Sequence, residues 1–515
     1  MQLNKLIEHV SYESVHGSPA IQITDLCYDS RKAKPGCMFV CIRGTQSDGH
    51  DYVLDAVERG AVAVVVEKER IVCAAANRVL YTKTERICFD TLLHTYQAAI
   101  LVVPRSRLAL AELSAAFFDF PAKKLKMIGI TGTKGKTTTA FFTTAILREA
   151  GYKTGMVGTV CLDDGKQVTS SEHTTPESYD LQKMLFQMVE NGCQCCVMEV
   201  SSQGIKMDRT AGIFFDIGVF LNIEPDHIGA AEHATFLEYL YCKSRLLQQC
   251  RVGIVNQDDV NTYKVLRGHT CQIETFSMRE GIAGEADMVA GETCFYMEQG
   301  ELHSRFRLRK GTHSMQLTIP FPGIFNVYNA LAATLIASHF NVTEEQVKRA
   351  LQHQTIPGRC ENLHISDKYV FLIDYAHNEM SLRNLLLGLK QFKPGRLIVI
   401  FGCGGNRSGL RRNRMGETAG LFADITILTS DNPRWEDPER ILDDIEEGIR
   451  DTGGSYVRIT DRREAVRYAV SIAEENDIVV LAGKGHEDYQ EIRGVRYPMT
   501  DRQLAKEAVG EQPKE

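Results

Sequence analysis

Short apolar runs recur along the chain, each closed by glycine or polar residues: AVAVVVE (61–67), MIGITG (127–132), CCVMEV (195–200), IGVFLN (217–222), VGIVN (252–256), VFLIDYA (370–376), LIVIFGCGG (397–405), ITILTS (425–430) and IVVLAGKG (478–485). Between many of them lie segments of helical period, at 137–149, 327–340, 343–352, 438–450 and 462–476. Apolar runs of four to eight residues alternating with amphipathic helices predict parallel strands in α/β units. Thr343 and Asp461 stand where helix N-caps belong. Residues 71–100 show no clear period.

Two breaks divide this pattern. FPAKKLK precedes the MIGITG strand, and IPGR near 355–358 separates a helix from a new strand series. The predicted domains are therefore 1–122, 123–356 and 357–515, a reasonable count for 515 residues. No internal repeat is present, and only the tail EQPKE reads as a frayed end.

Composition narrows the function. With 43% apolar and 24% charged residues the chain can bury sizeable cores. A net charge of −7 and a pI near 6.1 argue against a broad basic face for nucleic acid. No stretch approaches the roughly 18 apolar residues of a membrane span, and MQLNKLIEHV lacks a signal-peptide core. Fifteen scattered cysteines, without the paired CxxC spacing of a zinc ribbon, suit a reducing cytoplasm. Cys193, Cys195 and Cys196 run into an apolar strand and read as buried thiols. A monomer acting on small molecules, with neither nucleic acid nor membrane as partner, is expected.

The clearest chemistry is Gly132-Thr133-Lys134-Gly135-Lys136-Thr137-Thr138, set between the strand MIGI and a helix. Glycine amides and a helix N-terminus suit phosphates, a lysine reaches the β/γ oxygens, and a threonine hydroxyl suits Mg²⁺. ATP binding follows. Ile130 stands where the common phosphate loop has its first glycine. That departure, G-T-x-G-K-T-T, resembles the loop of the Mur ligases and their folylpolyglutamate synthetase relatives. The resemblance extends through YDSRKAKPGCMFVCIRG, DGH, TTPES, MEVSSQG, NIEPDHIG, FNVYNALAA, PGRCE, DYAH, GCGGNR, DNPRWEDP and AGKGHEDYQ, in the family's order.

The resemblance implies an α/β protein of three domains, with a P-loop-type central ATPase domain and a Rossmann-like C-terminal domain. It implies an amide ligase using ATP and Mg²⁺, in which a carboxylate becomes an acyl phosphate that an amine then attacks. Thr137, Glu199, His227 and Lys243 match the metal site, with Lys243 at the position of a carbamylated lysine; Lys136, Glu199, His227 and Lys243 are the catalytic candidates. Asn326, Asn329, Arg359 and Asp374 match nucleotide contacts from separate domains, assembled on closure.

For the donor, UDP-N-acetylmuramoyl-L-Ala-D-Glu, the matching positions are Ser30, Thr174, Thr175, Ser201 and Arg209. For the acceptor they are Arg412, Asp431, Asn432, Pro433, Arg434, Gly483 and Glu487. The DNPR form resembles that of members using meso-diaminopimelate, whose extra carboxylate an arginine fork can clamp. A buried Arg434 facing lysine instead would lack its anion, at a cost. Glu487 suits a substrate ammonium. Gln203, Met207, Asn378-Glu379, Asn406, Ser408 and Asn413 depart from the family pattern around the substrates. A paralogue with lysine or another acceptor or donor, and a non-catalytic nucleotide-binding regulator, therefore stay open beside the diaminopimelate ligase.

Overall fold

The computed structural model describes residues 1–44, 47–74, 77–83, 85–226, 228–229, 232–279, 286–406 and 408–510. Contacts divide the chain into two compact units, Met1–Ala140 with Gly151–Thr275, and Phe141–Ala150 with Phe276–Glu515. Each of the nine apolar runs is a strand.

The first unit holds two principal sheets. One is ordered Ser14–His16, Ala99–Val103, Ala63–Glu67, Cys37–Val40, Asp25–Cys27 and is parallel except at its Ser14–His16 edge. Alternate residues feed opposite faces. Met38, Val40, Ala63 and Val65 join Leu110 and Leu113 on one side; Cys37, Phe39, Val64 and Val66 join Val53, Val57 and Leu80 on the other. Burial on both faces is why these strands read as continuous apolar runs rather than alternation. The unpatterned 71–100 stretch forms a small antiparallel sheet, Ile71–Ala74, Asn77–Tyr81 and Arg86–Cys88, which presses Leu80 and Ile87 into this core.

The other is part of an eleven-stranded sheet whose first seven strands are Val168–Ser170, Cys161–Asp163, Thr154–Val157, Cys195–Glu199, Lys126–Thr131, Phe215–Phe220 and Cys250–Asn256. Of these seven, the five from Thr154–Val157 onward are parallel, and Cys161–Asp163 and Val168–Ser170 add an antiparallel edge. Cys195 and Cys196 lie in a central strand and are fully buried beside Cys193; the described cysteines are all free thiols. Tyr179 donates to Asp25 at 2.6 Å, tying the two sheets together within the unit.

In the second unit a six-stranded sheet is ordered Glu361–Asn362, Val370–Asp374, Ile478–Ala482, Leu397–Phe401, Ile425–Leu428, Tyr456–Arg458, with only the first strand antiparallel. Helices Glu379–Lys390, Gly409–Phe422, Pro438–Arg450, Arg462–Ile472 and Asp501–Ala508 accompany it. An antiparallel meander, Met288–Glu298, Glu301–Lys310 and His313–Ile319, was not anticipated. Its alternation of buried Leu302, Ser304, Phe306 and Leu308 with outward residues carries the period of a half-buried strand.

The helix expected at 327–340 is Ile324–Ala337, because the chain turns at Gly323 (φ 88°) and enters the helix earlier. The one expected at 462–476 stops at Ile472, where Ala473 becomes extended. Thr343 forms a capping box with Gln346, and Asp461 accepts from the Glu464 amide. Among the described residues no helix is long and apolar enough to cross a membrane.

Candidate active site

The phosphate loop joins the strand Lys126–Thr131 to the helix Lys136–Glu149. Its shape is fixed from a neighbouring strand end. The Thr133 amide donates to Asn222 O (3.0 Å), the Lys134 amide to Asn222 Oδ1 (2.9 Å), and Asn222 Nδ2 to Lys134 O (3.1 Å). Gly135 supplies a positive φ of 86° at the turn into the helix. Lys136 Nζ donates to the carbonyls of Gly132 (2.9 Å) and Thr133 (3.3 Å), which holds the ammonium over the loop. Thr138 is buried in the first helical turn, while the Lys134 ammonium reaches outward to Asp226 (3.1 Å).

Behind the loop lies a buried carboxylate. Glu199 ends the strand Cys195–Glu199 and is 1% exposed. Thr137 Oγ1 stands 3.0 Å from both carboxylate oxygens, Thr159 donates its amide to Oε1 (2.8 Å) and its hydroxyl to Oε2 (3.1 Å). Thr174 Oγ1 continues this chain at 3.0 Å from Thr159 Oγ1. A Cβ on Gly158 would come 2.5 Å from Glu199 Oε1, so the close approach of backbone to carboxylate needs glycine there. Glu199 has no cationic partner among the described residues, an unusual state for a buried carboxylate.

Lys243 is not the solvated helix lysine its sequence suggests. It is 2% exposed, donates to the same Gly132 carbonyl (2.8 Å) as Lys136, and lies over the Tyr239 ring at 4.7 Å. Burial, reinforced by the Lys136 charge, holds its amine well below the ordinary lysine range. Tyr239 itself is anchored to Thr133 Oγ1 (2.9 Å). His227 lies outside the described residues. Among the described residues no group of three or more His, Cys, Asp and Glu gathers into a metal cage.

The donor candidates lie in the same unit. Thr175 Oγ1 donates to Glu199 O (2.9 Å) and accepts the Ser201 amide (3.0 Å), while Ser201 caps the short helix Ser202–Lys206. Arg209 spans Glu177 Oε1 (3.0 and 2.6 Å) and Thr175 O (2.9 Å). Arg107, which the sequence did not single out, binds the other Glu177 oxygen at 3.1 Å. Two guanidinium groups thus share one carboxylate and leave a net positive charge beside Thr175. Ser30 is buried in a turn that follows Asp25–Cys27, where Asp29 caps it and pairs with Arg31; no described contact links it to the Thr174–Arg209 group.

In the second unit, Asn326 and Asn329 are buried on the helix Ile324–Ala337, and Asn329 Nδ2 donates a hydrogen bond to Asn326 Oδ1 (3.1 Å). Arg359 stacks over Tyr375 at 4.7 Å. Asp374 spends both oxygens on backbone amides, Cys360 (2.8 Å) and Ala376 (2.8 Å), and burial raises its pKa against the opposing Arg359 charge. Neighbouring His486 is pushed down to about 4 by burial and then by Arg359.

The acceptor candidates do converge. Asn432 Nδ2 donates to Glu487 Oε2 (2.8 Å), and Lys484 Nζ donates to both Asn432 Oδ1 and Glu487 Oε2 (3.0 Å each). Asn432 Oδ1 also accepts the Glu491 amide at 2.9 Å. Arg434, with a left-handed φ of 54°, donates its amide to Glu491 O (3.0 Å) and Nη1 to Gly405 O (2.9 Å). Its side chain is 30% exposed and 3.4 Å from Glu491 Oε2, which corrects the expectation of a buried arginine: the left-handed turn carries it to the rim. Gly483 (φ 112°) packs where a Cβ would meet Asp431 Oδ2 at 3.0 Å. Arg412 is engaged by Glu436 (2.9 Å to each oxygen) and Asp444 (2.9 Å). Pro433 carries the chain between Asn432 and Arg434. Thr159, Asn222, Arg107, Glu177, Lys484 and Glu491 were not among the candidates, although Asn222, Glu177 and Lys484 lie within the family-like stretches NIEPDHIG, TTPES and AGKGHEDYQ.

Comparison with known proteins agrees along the whole chain. Residues 22–118 match the Mur ligase family catalytic domain, 130–337 the Mur ligase middle domain, and 358–485 the Mur ligase glutamate ligase domain. A UDP-N-acetylmuramoyl-L-alanyl-D-glutamate–2,6-diaminopimelate ligase of Caldanaerobacter subterraneus subsp. tengcongensis is 37% identical, with 100% of each chain covered. The protein of that name from Clostridium botulinum is 36% identical over 99% of this chain and 100% of its own. Among solved structures, one of a ligase of the same name superposes with a TM-score of 0.66 at 28% identity, covering 99% of both chains. A MurF ligase from Thermotoga maritima in complex with ADP shares the fold, with a TM-score of 0.60 at 16% identity over 95% of this chain and 97% of its own.

Proposed function

The chain belongs to the Mur ligase family, and from that premise we propose that it joins meso-diaminopimelate to UDP-N-acetylmuramoyl-L-Ala-D-Glu at the expense of ATP, a step of peptidoglycan precursor synthesis. The single observation that carries the choice of acceptor is the clamp of opposite charges around Asn432. Glu487 presents an anion for an ammonium, and Arg434, fixed through Glu491, presents a guanidinium for a distal carboxylate. Diaminopimelate carries both groups; lysine lacks the second.

The residues of the first unit fit a hard divalent cation such as Mg²⁺. A buried carboxylate with no cationic partner among the described residues, facing two threonine hydroxyls, is an oxygen donor set of the kind Mg²⁺ takes together with phosphate oxygens. Thr137 and Glu199 would hold the ion, with His227 and a carbamylated Lys243 as further ligands; when bound it offsets charge gathering between triphosphate and carboxylate. The depressed Lys243 favours the free amine, the form that adds CO₂. Lys136 and the amides of 132–138 take the triphosphate, and Asn326, Asn329, Arg359 and Asp374 serve the nucleotide in the second unit. Ser30 serves the uridine diphosphate end of the donor. Thr174, Thr175, Ser201 and Arg209 serve its dipeptide end. The donor carboxylate takes the γ-phosphoryl group, the acceptor amine attacks the acyl carbon, and phosphate leaves.

We read the protein as a cytoplasmic monomer. The test is phosphate release by purified protein with ATP, Mg²⁺ and the UDP-muramoyl dipeptide, comparing diaminopimelate with lysine. Release that depends on the donor and prefers diaminopimelate is expected. Equal use of lysine would support the paralogue, and ATP binding without turnover the regulator.

A further inference from the structure

Lys484 is a fully buried lysine that the reaction itself does not use. It is 0% exposed, with its ammonium nitrogen 5.4 Å from the centre of the Tyr489 ring, and among the described residues that ammonium donates two hydrogen bonds, to Asn432 Oδ1 and Glu487 Oε2. Burying an ammonium is costly unless its partners are held in place. The partners here are two side chains that also bond each other, so Lys484, Asn432 and Glu487 close a triangle with sides of 3.0, 3.0 and 2.8 Å. A closed triangle leaves each member a single position.

The consequences run in two directions. Glu487 Oε2 takes both donors, so Oε1, without a partner among the described residues, is the oxygen turned to other ligands. In the other direction Asn432 Oδ1 also receives the Glu491 amide, and the Glu491 carbonyl receives the Arg434 amide. One ammonium therefore fixes both the anionic and the cationic arm. Asp431, buried next door with its Oδ1 turned to the Asn432 amide, adds a second negative charge that Lys484 partly offsets.

We propose that Lys484 is a positioning residue that sets the separation of Glu487 and Arg434, and so selects an acceptor amino acid carrying an ammonium and a distal carboxylate at a fixed spacing. This rests on the function proposed above. It differs from a contact role, because Lys484 acts through Asn432 and Glu487 and is closed off from solvent.

The experiment compares full-length wild type with Lys484→Met, Lys484→Arg, Glu487→Gln and the double variant Lys484→Met/Glu487→Gln. For Lys484→Met the KM for diaminopimelate should rise about 10- to 100-fold, the range set by losing charge-assisted hydrogen bonds. Its kcat at saturation and its KM for ATP and donor should stay within about threefold of wild type, and the preference over lysine should fall. Lys484→Arg should recover part of the loss. Should Lys484→Met fail to fold, the double variant, which removes the buried anion together with the cation, carries the test: it should match Glu487→Gln alone. An additive loss in the double variant overturns the proposal. So does an unchanged diaminopimelate KM, or a uniform loss in every substrate without rescue by arginine. Wild type inactive with both amino acids sinks the proposed function and this inference together; an active wild type with an indistinguishable Lys484→Met sinks the inference alone.

Discussion

Replacing Arg434 by alanine removes the cationic arm of the acceptor clamp and little else. Nη1 gives up one hydrogen bond to Gly405 O (2.9 Å), and Nε a long contact to Glu491 (3.4 Å); the backbone bond to Glu491 O stays. A charge-assisted contact is worth about 1.5–3 kcal/mol when screened from water, and an exposed ion pair about 0–1 kcal/mol. With the side chain 30% exposed and Glu491 already neutralising part of its charge, about 1–2 kcal/mol is left for the distal carboxylate. That is roughly a 5- to 30-fold loss in preference for diaminopimelate over lysine, less than a buried arginine would give. The assay is kcat/KM for each amino acid by phosphate release, with ATP affinity measured alongside. The loss should fall in the diaminopimelate KM, lysine use should stay poor, and ATP affinity should not change. Arg434→Lys should fall between, because an ammonium keeps the charge and loses the fork. An unchanged ratio would remove Arg434 from acceptor choice.

Three further outcomes are expected. Lys136→Ala should abolish ATP-dependent ligation with the circular dichroism spectrum unchanged, since the bonds from its ammonium to the Gly132 and Thr133 carbonyls lie within the loop itself; retained turnover would take the loop out of the mechanism. Lys243→Ala should be nearly inactive and partly recovered by short carboxylic acids that replace a carbamate; no recovery at any concentration would count against the carbamate. Arg462→Ala should destabilise the second unit by about 3–5 kcal/mol, because Asp501, bonded twice at 2.7 Å, would be left as a buried unpaired charge; an unmoved denaturation midpoint would refute that.

The strands were legible because burial on both faces leaves a continuous apolar signature, as at Ile398–Ile400 or Val64–Val66. Helix starts were legible where a side chain caps them, as Thr343 and Asp461 do. Helix ends were less so, since nothing in the apolar period announces the extended turn at Ala473. The meander was missed because its strands alternate buried residues with outward ones such as Arg305, Arg307 and Arg309, and so lack the continuous apolar run that marks strands buried on both faces. In the site, the loop and Glu199 followed from residue type and order. Lys243 and Lys484 did not. Burial of a lysine depends on what other segments bring to it, Gly132 in one case and Asn432 in the other, and these lie 111 and 52 residues away.

The departures from the family pattern take a different meaning once their places in the fold are known. Asn378, where threonine is usual, caps the helix Glu379–Lys390 by accepting the Ser381 amide at 2.9 Å, a task either residue performs. Asn406 adopts a left-handed φ of 57°, which asparagine tolerates better than most residues. Asn413 lies where two helices meet so closely that a Cβ on Gly448 would come 1.9 Å from its carbonyl, so this position answers to helix packing. Among the described contacts none of these three bonds directly to Glu487, Lys484 or Arg434, although the Asn406 amide donates to Glu436, the carboxylate that holds Arg412. Gln203 and Met207 differ from them, because they lie on and just after the short helix Ser202–Lys206, beside Ser201 and Arg209. A change of substrate specificity would therefore be sought first in the donor, not the acceptor. Exchanging Gln203 for histidine and Met207 for glutamine should move the KM for the UDP-muramoyl dipeptide while leaving the diaminopimelate-to-lysine ratio where it stands. A shift in that ratio instead would show that the two ends of the reaction are read by coupled residues.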